Sequence, residues 1–132
     1  MPVHYAIDTE RKLIRTRCTG FVTFEEVSEH FQVLRLDPQF RDRFDVLLDL
    51  TECTSVPTED QLRAVVPQMD VLSGGWRLGA CAIIAANDEL YGVSRMLEVF
   101  AQDVFSGTGV FRSVEEGEQW LSSLQQMRQT SP

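Results

Sequence analysis

DVLLDLTECTSVPTEDQ, residues 45–61, joins two patterns that together decide the fold. Val46–Leu50 is an apolar run broken only by Asp49. Such a run suits a strand covered on both faces, as in a parallel sheet. Polar residues follow, and then Thr58 precedes Gln61 by three positions, the spacing of a capping box. Leu62, Val65, Val66 and Met69 next recur on one side of a helix. The stretch therefore reads as strand, loop and helix. Pro67 inside that helix predicts a kink or an early end.

The same grammar extends in both directions. VHYAID (3–8) and LIRTRCTG (13–20) read as a hairpin. Thr23 with Glu26 opens a first helix over 24–36, which stops before Asp37-Pro38. Ser73-Gly74-Gly75 reads as a turn, and LGACAIIAA (78–86) as a second central strand. Asn87-Asp88 caps a third helix over 89–104, with Leu90, Val93, Leu97, Phe100 and Val104 as its apolar positions. Ser106–Gly109 reads as a turn and VFR (110–112) as a last strand. Ser113 with Glu116 starts a fourth helix carrying Val114, Leu121 and Leu124. Strands alternating with helices imply a mostly parallel or mixed five-stranded sheet with right-handed crossovers, behind an N-terminal β-hairpin and with about four helices. A chain of 132 residues fits one domain, here 1–127, with 128–132 a polar tail expected to fray.

Composition narrows function by exclusion. Hydrophobic residues make up 43% and charged residues 24%, an ordinary globular mix. The formal net charge of −8, with no basic cluster, speaks against nucleic acid and against anionic lipid surfaces. The first thirty residues show no secretory signal, and no apolar run approaches the ~18 residues of a membrane span. Cys18, Cys53 and Cys81 are odd in number and widely spaced, which fits neither a disulfide framework nor a zinc site. They read as small buried apolar residues in a reducing cytoplasm. No cofactor or metal site is expected. His4 and His30 lie in the first strand and first helix, no G-x-S-x-G occurs, and neither glycine-rich stretch continues into a phosphate loop, so no enzyme is expected.

The order of elements, with the strand-Asp-loop-helix at 46–62, NDELYGVSRMLEVF (87–100) and VFRSVEEGEQWL (110–121), resembles the SpoIIAA-like bacterial proteins. These share the fold of STAS domains, the anti-sigma-factor antagonists. The resemblance spans roughly Val3 to Leu121. In STAS antagonists a loop after the strand leads to Asp-Ser-Ser-Gly at a helix start, and the serine after that aspartate is phosphorylated by a partner kinase. The resemblance places this phosphoacceptor on Thr58, with Pro57, Glu59 and Asp60 where the motif has aspartate, serine and glycine. Two carboxylates beside the hydroxyl would repel a phosphate. The phosphoswitch motif is therefore not intact, and an N-cap is the plainer role for Thr58.

Two surfaces remain as candidates. Ligands of open α/β sheets sit outside the carboxyl ends of the strands, and that edge gathers Asp49, Thr54, Ser55, Asn87, Asp88 and Arg112. Capping and turn chemistry also account for these residue types. Asp49 should be paired, with Arg112 one candidate. Tyr91, Arg95, Met96 and Val99 lie off the core positions of the third helix and form a candidate partner surface, to a protein or in a homodimer. The resemblance thus implies regulatory protein–protein interaction through the third helix and the start of the second. The alternative is a SEC14-like binding domain for a small apolar or amphipathic ligand. An exposed patch at Tyr91, Met96 and Val99 would favour the first; an enclosed cavity would favour the second.

Overall fold

The computed structural model describes residues 2–40, 43–73 and 78–130, with side chains at 2–40, 43–70 and 78–128. The elements run β1 (Val3–Asp8), β2 (Leu13–Gly20), α1 (Phe24–Arg35), β3 (Asp45–Cys53), α2 (Glu59–Ser73), β4 (Leu78–Ile84), α3 (Asp88–Phe100), β5 (Phe105–Phe111) and α4 (Val114–Thr130). One sheet holds the strands in the order β1-β2-β3-β4-β5. β1 pairs antiparallel with β2, and every later pairing is parallel.

This order has a geometric consequence. Each parallel crossover moves one strand over in the same direction, so right-handed connections must place α1, α2 and α3 on one face. Alternation along the strands agrees. Ile14, Val46, Leu48, Cys81 and Ile83 point into the core shared with these helices. Leu13, Leu47, Ala80, Ala82 and Ile84 point the other way, under Leu121, Trp120 and Leu124 of α4. β4 is buried along its whole length, as a doubly covered central strand should be.

The helix starts are set by local chemistry. Thr23 Oγ1 accepts from the Glu26 amide (3.2 Å) while Glu26 Oε1 accepts from the Thr23 amide (2.9 Å), a complete capping box. Asn87 caps α3 by accepting from the Leu90 amide (2.8 Å). Ser113 accepts from the Glu116 amide (3.3 Å) at α4.

Several boundaries differ from expectation, each for a physical reason. α2 runs through Pro67 to Ser73, because Leu62, Val65 and Met69 are pinned in the core on either side of it. α3 ends at Phe100, and a turn over 101–104 buries Ala101 and Val104. Ser106–Gly109, expected as a turn, belongs to β5. Ala80, Cys81 and Ala82 of β4 pair with Gly107, Thr108 and Gly109. α4 extends to Thr130. The expected turn at Ser73-Gly74-Gly75 falls largely outside the described residues.

A candidate apolar cavity under α1 and α2

A cavity of about 340 Å³ lies between the sheet and the first two helices. Its floor is the helix-covered face of the sheet, with Ile14 and Thr16 from β2, Val46, Leu48 and Leu50 from β3, and Cys81 from β4. Val27, His30, Phe31 and Leu34 of α1 form one wall; Leu62, Val65 and Met69 of α2 form the other. The carboxyl-end loops close the top. Gly20, at φ +69°, ends β2 and turns the chain into Phe21–Thr23. The Gly20 carbonyl accepts from the Thr54 amide (2.9 Å) and Ser55 Oγ accepts from the Val22 amide (2.9 Å), which fastens the two loops together. Phe21, 71% exposed, and Val56, 41% exposed, both line the cavity. The cavity therefore reaches the surface between them.

His30 is the main polar group of the walls. Its ring packs edge-on against Tyr5 (centroids 5.4 Å apart) and tilted against Phe31 (5.5 Å). Burial pushes its pKa down from 6.5 to about 4, so the imidazole is neutral at physiological pH. The unfolded chain protonates this histidine below about pH 6.5, and the folded chain resists doing so until about pH 4. Its share of stability is thus complete above pH 6.5 and lost as pH falls through that window. The upper limit is roughly 3 kcal/mol. Urea midpoints between pH 7 and 4.5 should fall more steeply for the native chain than for His30→Phe. Equal slopes would mean that His30 is solvated.

The other carboxyl-edge residues are engaged in structure. Asp49 is half-buried, and its Oδ1 accepts from the Thr51 amide (2.9 Å) and hydroxyl (2.7 Å). It is not the partner of Arg112. Arg112 donates to Asp88 Oδ1 (2.9 Å) and the Ala86 carbonyl (3.1 Å), with its guanidinium 4.0 Å above the Tyr91 ring. Ser55 alone of the expected edge residues lines the cavity, while the Thr54 side chain is exposed. The strand order never reverses, so the edge lacks the switch-point crevice that places ligands in doubly wound sheets.

Thr58 is exposed, and its hydroxyl accepts from the Gln61 amide (3.2 Å) while Gln61 Oε1 accepts from the Thr58 amide (3.0 Å). Thr58→Ala should cost about 1 kcal/mol in urea unfolding, with Thr58→Ser within a few tenths of the native value. On α3, Val99 is 60% exposed and Arg95 is exposed, in an ion pair with Glu98. Met96 packs against the core and Tyr91 lies under Arg112, so both are half-buried. The candidate partner surface is thus narrower than its apolar residues implied.

The cysteines are free and buried. Burial pushes Cys18 and Cys81 up to about 12, which holds both as thiols. Among the described residues no helix is long and apolar enough to cross a membrane. The sequence reading missed Thr16, Phe21 and the cavity role of His30; the periodicity of α1 and β2 marked only an apolar face.

A mixed five-stranded sheet in this order, with three helices on one face and α4 on the other, is a SpoIIAA-like α/β fold. The chain is similar over most of its length to an uncharacterised protein of the DUF3478 family from Shewanella loihica PV-4, which has a SpoIIAA-like fold. The match has a TM-score of 0.59 and 17% sequence identity, and covers 90% of this chain and 91% of that one. The likeness is one of fold. No protein-family model matches the chain, and no curated protein matches it.

Proposed function

We propose that this domain binds a small apolar or amphipathic molecule beneath α1 and α2. The cavity carries this reading. Protein interiors hold few voids larger than a water molecule. A pocket of about 340 Å³ that opens between Phe21 and Val56 leaves its apolar walls to water unless a ligand covers them. Apolar walls with a few polar groups, at this volume, are the usual form of a small-molecule site. The test is saturable binding of the neutral fluorophore N-phenyl-1-naphthylamine. Binding should be lost in Val65→Phe, which places a ring in the cavity. No saturable binding to the native chain would remove the reading.

A second reading, regulatory protein–protein interaction of the STAS-like type, is favoured by the exposure of Val99 and Arg95 on α3. Its partner would be another protein or a second copy of the chain. Light scattering of the native chain and Val99→Glu separates these: a dimer that the substitution dissolves would support the homodimer through α3.

A further inference from the structure

The ligand can be specified further, on the premise that the cavity is a binding site. We propose that it takes an uncharged, mainly apolar molecule bearing one hydroxyl or carbonyl group, which Thr16 and His30 recognise by hydrogen bonding.

An ionised group inside the cavity and an anionic head at its mouth are both disfavoured. Among the described residues, no lysine, arginine, aspartate or glutamate lines it. An ionised group drawn inside would be desolvated without a partner. A ligand with its tail inside and an anionic head at the mouth would meet carboxylates there. Glu25 and Glu26 lie in the first turn of α1, and Glu59 and Asp60 in the first turn of α2. Helix N-termini can attract anions, but the capping threonine of each helix already engages one first-turn amide, and the first-turn carboxylates oppose an anion.

Among the described residues, two polar groups that line the cavity make no side-chain hydrogen bond. Thr16 is only 5% exposed, and its hydroxyl makes no hydrogen bond to the described residues. The His30 ring makes aromatic contacts but likewise no hydrogen bond. By contrast, Ser55 Oγ already accepts from Val22, Cys53 Sγ donates to the Ser55 carbonyl, and Gln61 Oε1 serves the α2 cap. The two unpaired groups lie at the same end of the cavity. Thr16 sits directly across the β1–β2 ladder from Tyr5, and His30 packs on the Tyr5 ring. A neutral imidazole offers one donor and one acceptor, and a threonine hydroxyl offers both. A ligand hydroxyl or carbonyl satisfies them, and the apolar remainder fills the space toward α2.

Competition against N-phenyl-1-naphthylamine at pH 7.5 tests this with three displacing ligands: 1-decanol, decanoate and 1-chlorodecane. For the native chain, decanol should displace the fluorophore at least ~10-fold more tightly than either of the others, the size expected of about one hydrogen bond to a buried group. Thr16→Val and His30→Phe should each erase most of the decanol advantage over chlorodecane, read as the ratio of the two competitors within each variant so that any change in fluorophore affinity cancels. Decanoate binding as tightly as decanol would overturn the exclusion of charge and leave the cavity reading standing. A decanol advantage that survives both substitutions would overturn the assignment of Thr16 and His30. No fluorophore binding to any variant would overturn the cavity reading itself, and this proposal with it.

Discussion

Asp45→Ala should lower the urea midpoint by the equivalent of about 3–5 kcal/mol, with an unchanged m-value. Asp45 opens β3 and is 1% exposed. Its Oδ1 accepts from the Ala80 amide (2.8 Å) and from Arg128 Nη2 (3.1 Å). Its Oδ2 accepts from Gln125 Nε2 (3.0 Å) and Arg128 Nη1 (3.2 Å). Gln125 also donates to the Arg11 carbonyl (3.0 Å). One buried carboxylate thus ties the end of α4 to the starts of β3 and β4 and to the β1–β2 turn. Removing it strands the Ala80 amide without water. Arg128, about half exposed, can return to solvent, which favours the lower part of that range. Asp45→Asn keeps an acceptor for Ala80 and should cost about half as much. Hydrogen exchange should accelerate in the last two turns of α4 in both variants. An Asp45→Ala midpoint within error of the native one would show that the carboxylate is not buried there. Gly79 belongs to the same arrangement, since a Cβ on it would collide with Asp45 Oδ1.

The contrast between Asp45 and Thr58 shows what the sequence could reveal. Thr23–Glu26, Thr58–Gln61 and Ser113–Glu116 are contacts across three residues, so each helix start was legible as spacing. The apolar run at Val46–Leu50 was equally legible, and with it a strand covered on both faces. Asp45 acts across 35 residues to Ala80 and 83 to Arg128, and no local pattern reports such a link. Asp49 drew attention as a charge in an apolar run, yet its hydrogen bonds are to Thr51, two residues on. β5 was missed over Phe105–Gly109 because two glycines and a serine read as a turn; pairing with β4 overrides that preference. The cavity was illegible for a deeper reason. Val27, His30, Phe31, Val65 and Met69 would show the same helical spacing around a filled core as around an empty one. Only the distance between α1, α2 and the sheet distinguishes the two.

The opposite face of the sheet has no slack, and Gly117→Val should show it. Gly117 is buried in the second turn of α4, where an added Cβ would collide with Ile84 Cδ1 and come within 3.3 Å of Leu47 Cδ1 and 3.5 Å of Ala82 Cβ. Two effects compete when glycine is replaced. Alanine in a helix interior gains about 1 kcal/mol over glycine. Overpacking a close contact costs about 1–3 kcal/mol. For Gly117→Ala these nearly cancel, because one terminal methyl of Ile84 is the main obstacle. For Gly117→Val the propensity gain shrinks, as β-branching restricts the side chain against the preceding turn. Two further methyls must also fit against Leu47 and Ala82, both nearly inaccessible. A net loss of about 2–3 kcal/mol in urea unfolding is expected, since the helix must lift from the sheet to admit them. Removing the obstacle provides the check. Ile84→Val alone should cost ~0.5–1.5 kcal/mol, but combined with Gly117→Ala it should cost less than the sum of the two, because the deleted methyl is the one that clashes. Strict additivity, or a neutral Gly117→Val, would mean that α4 stands further from β4 than these contacts require.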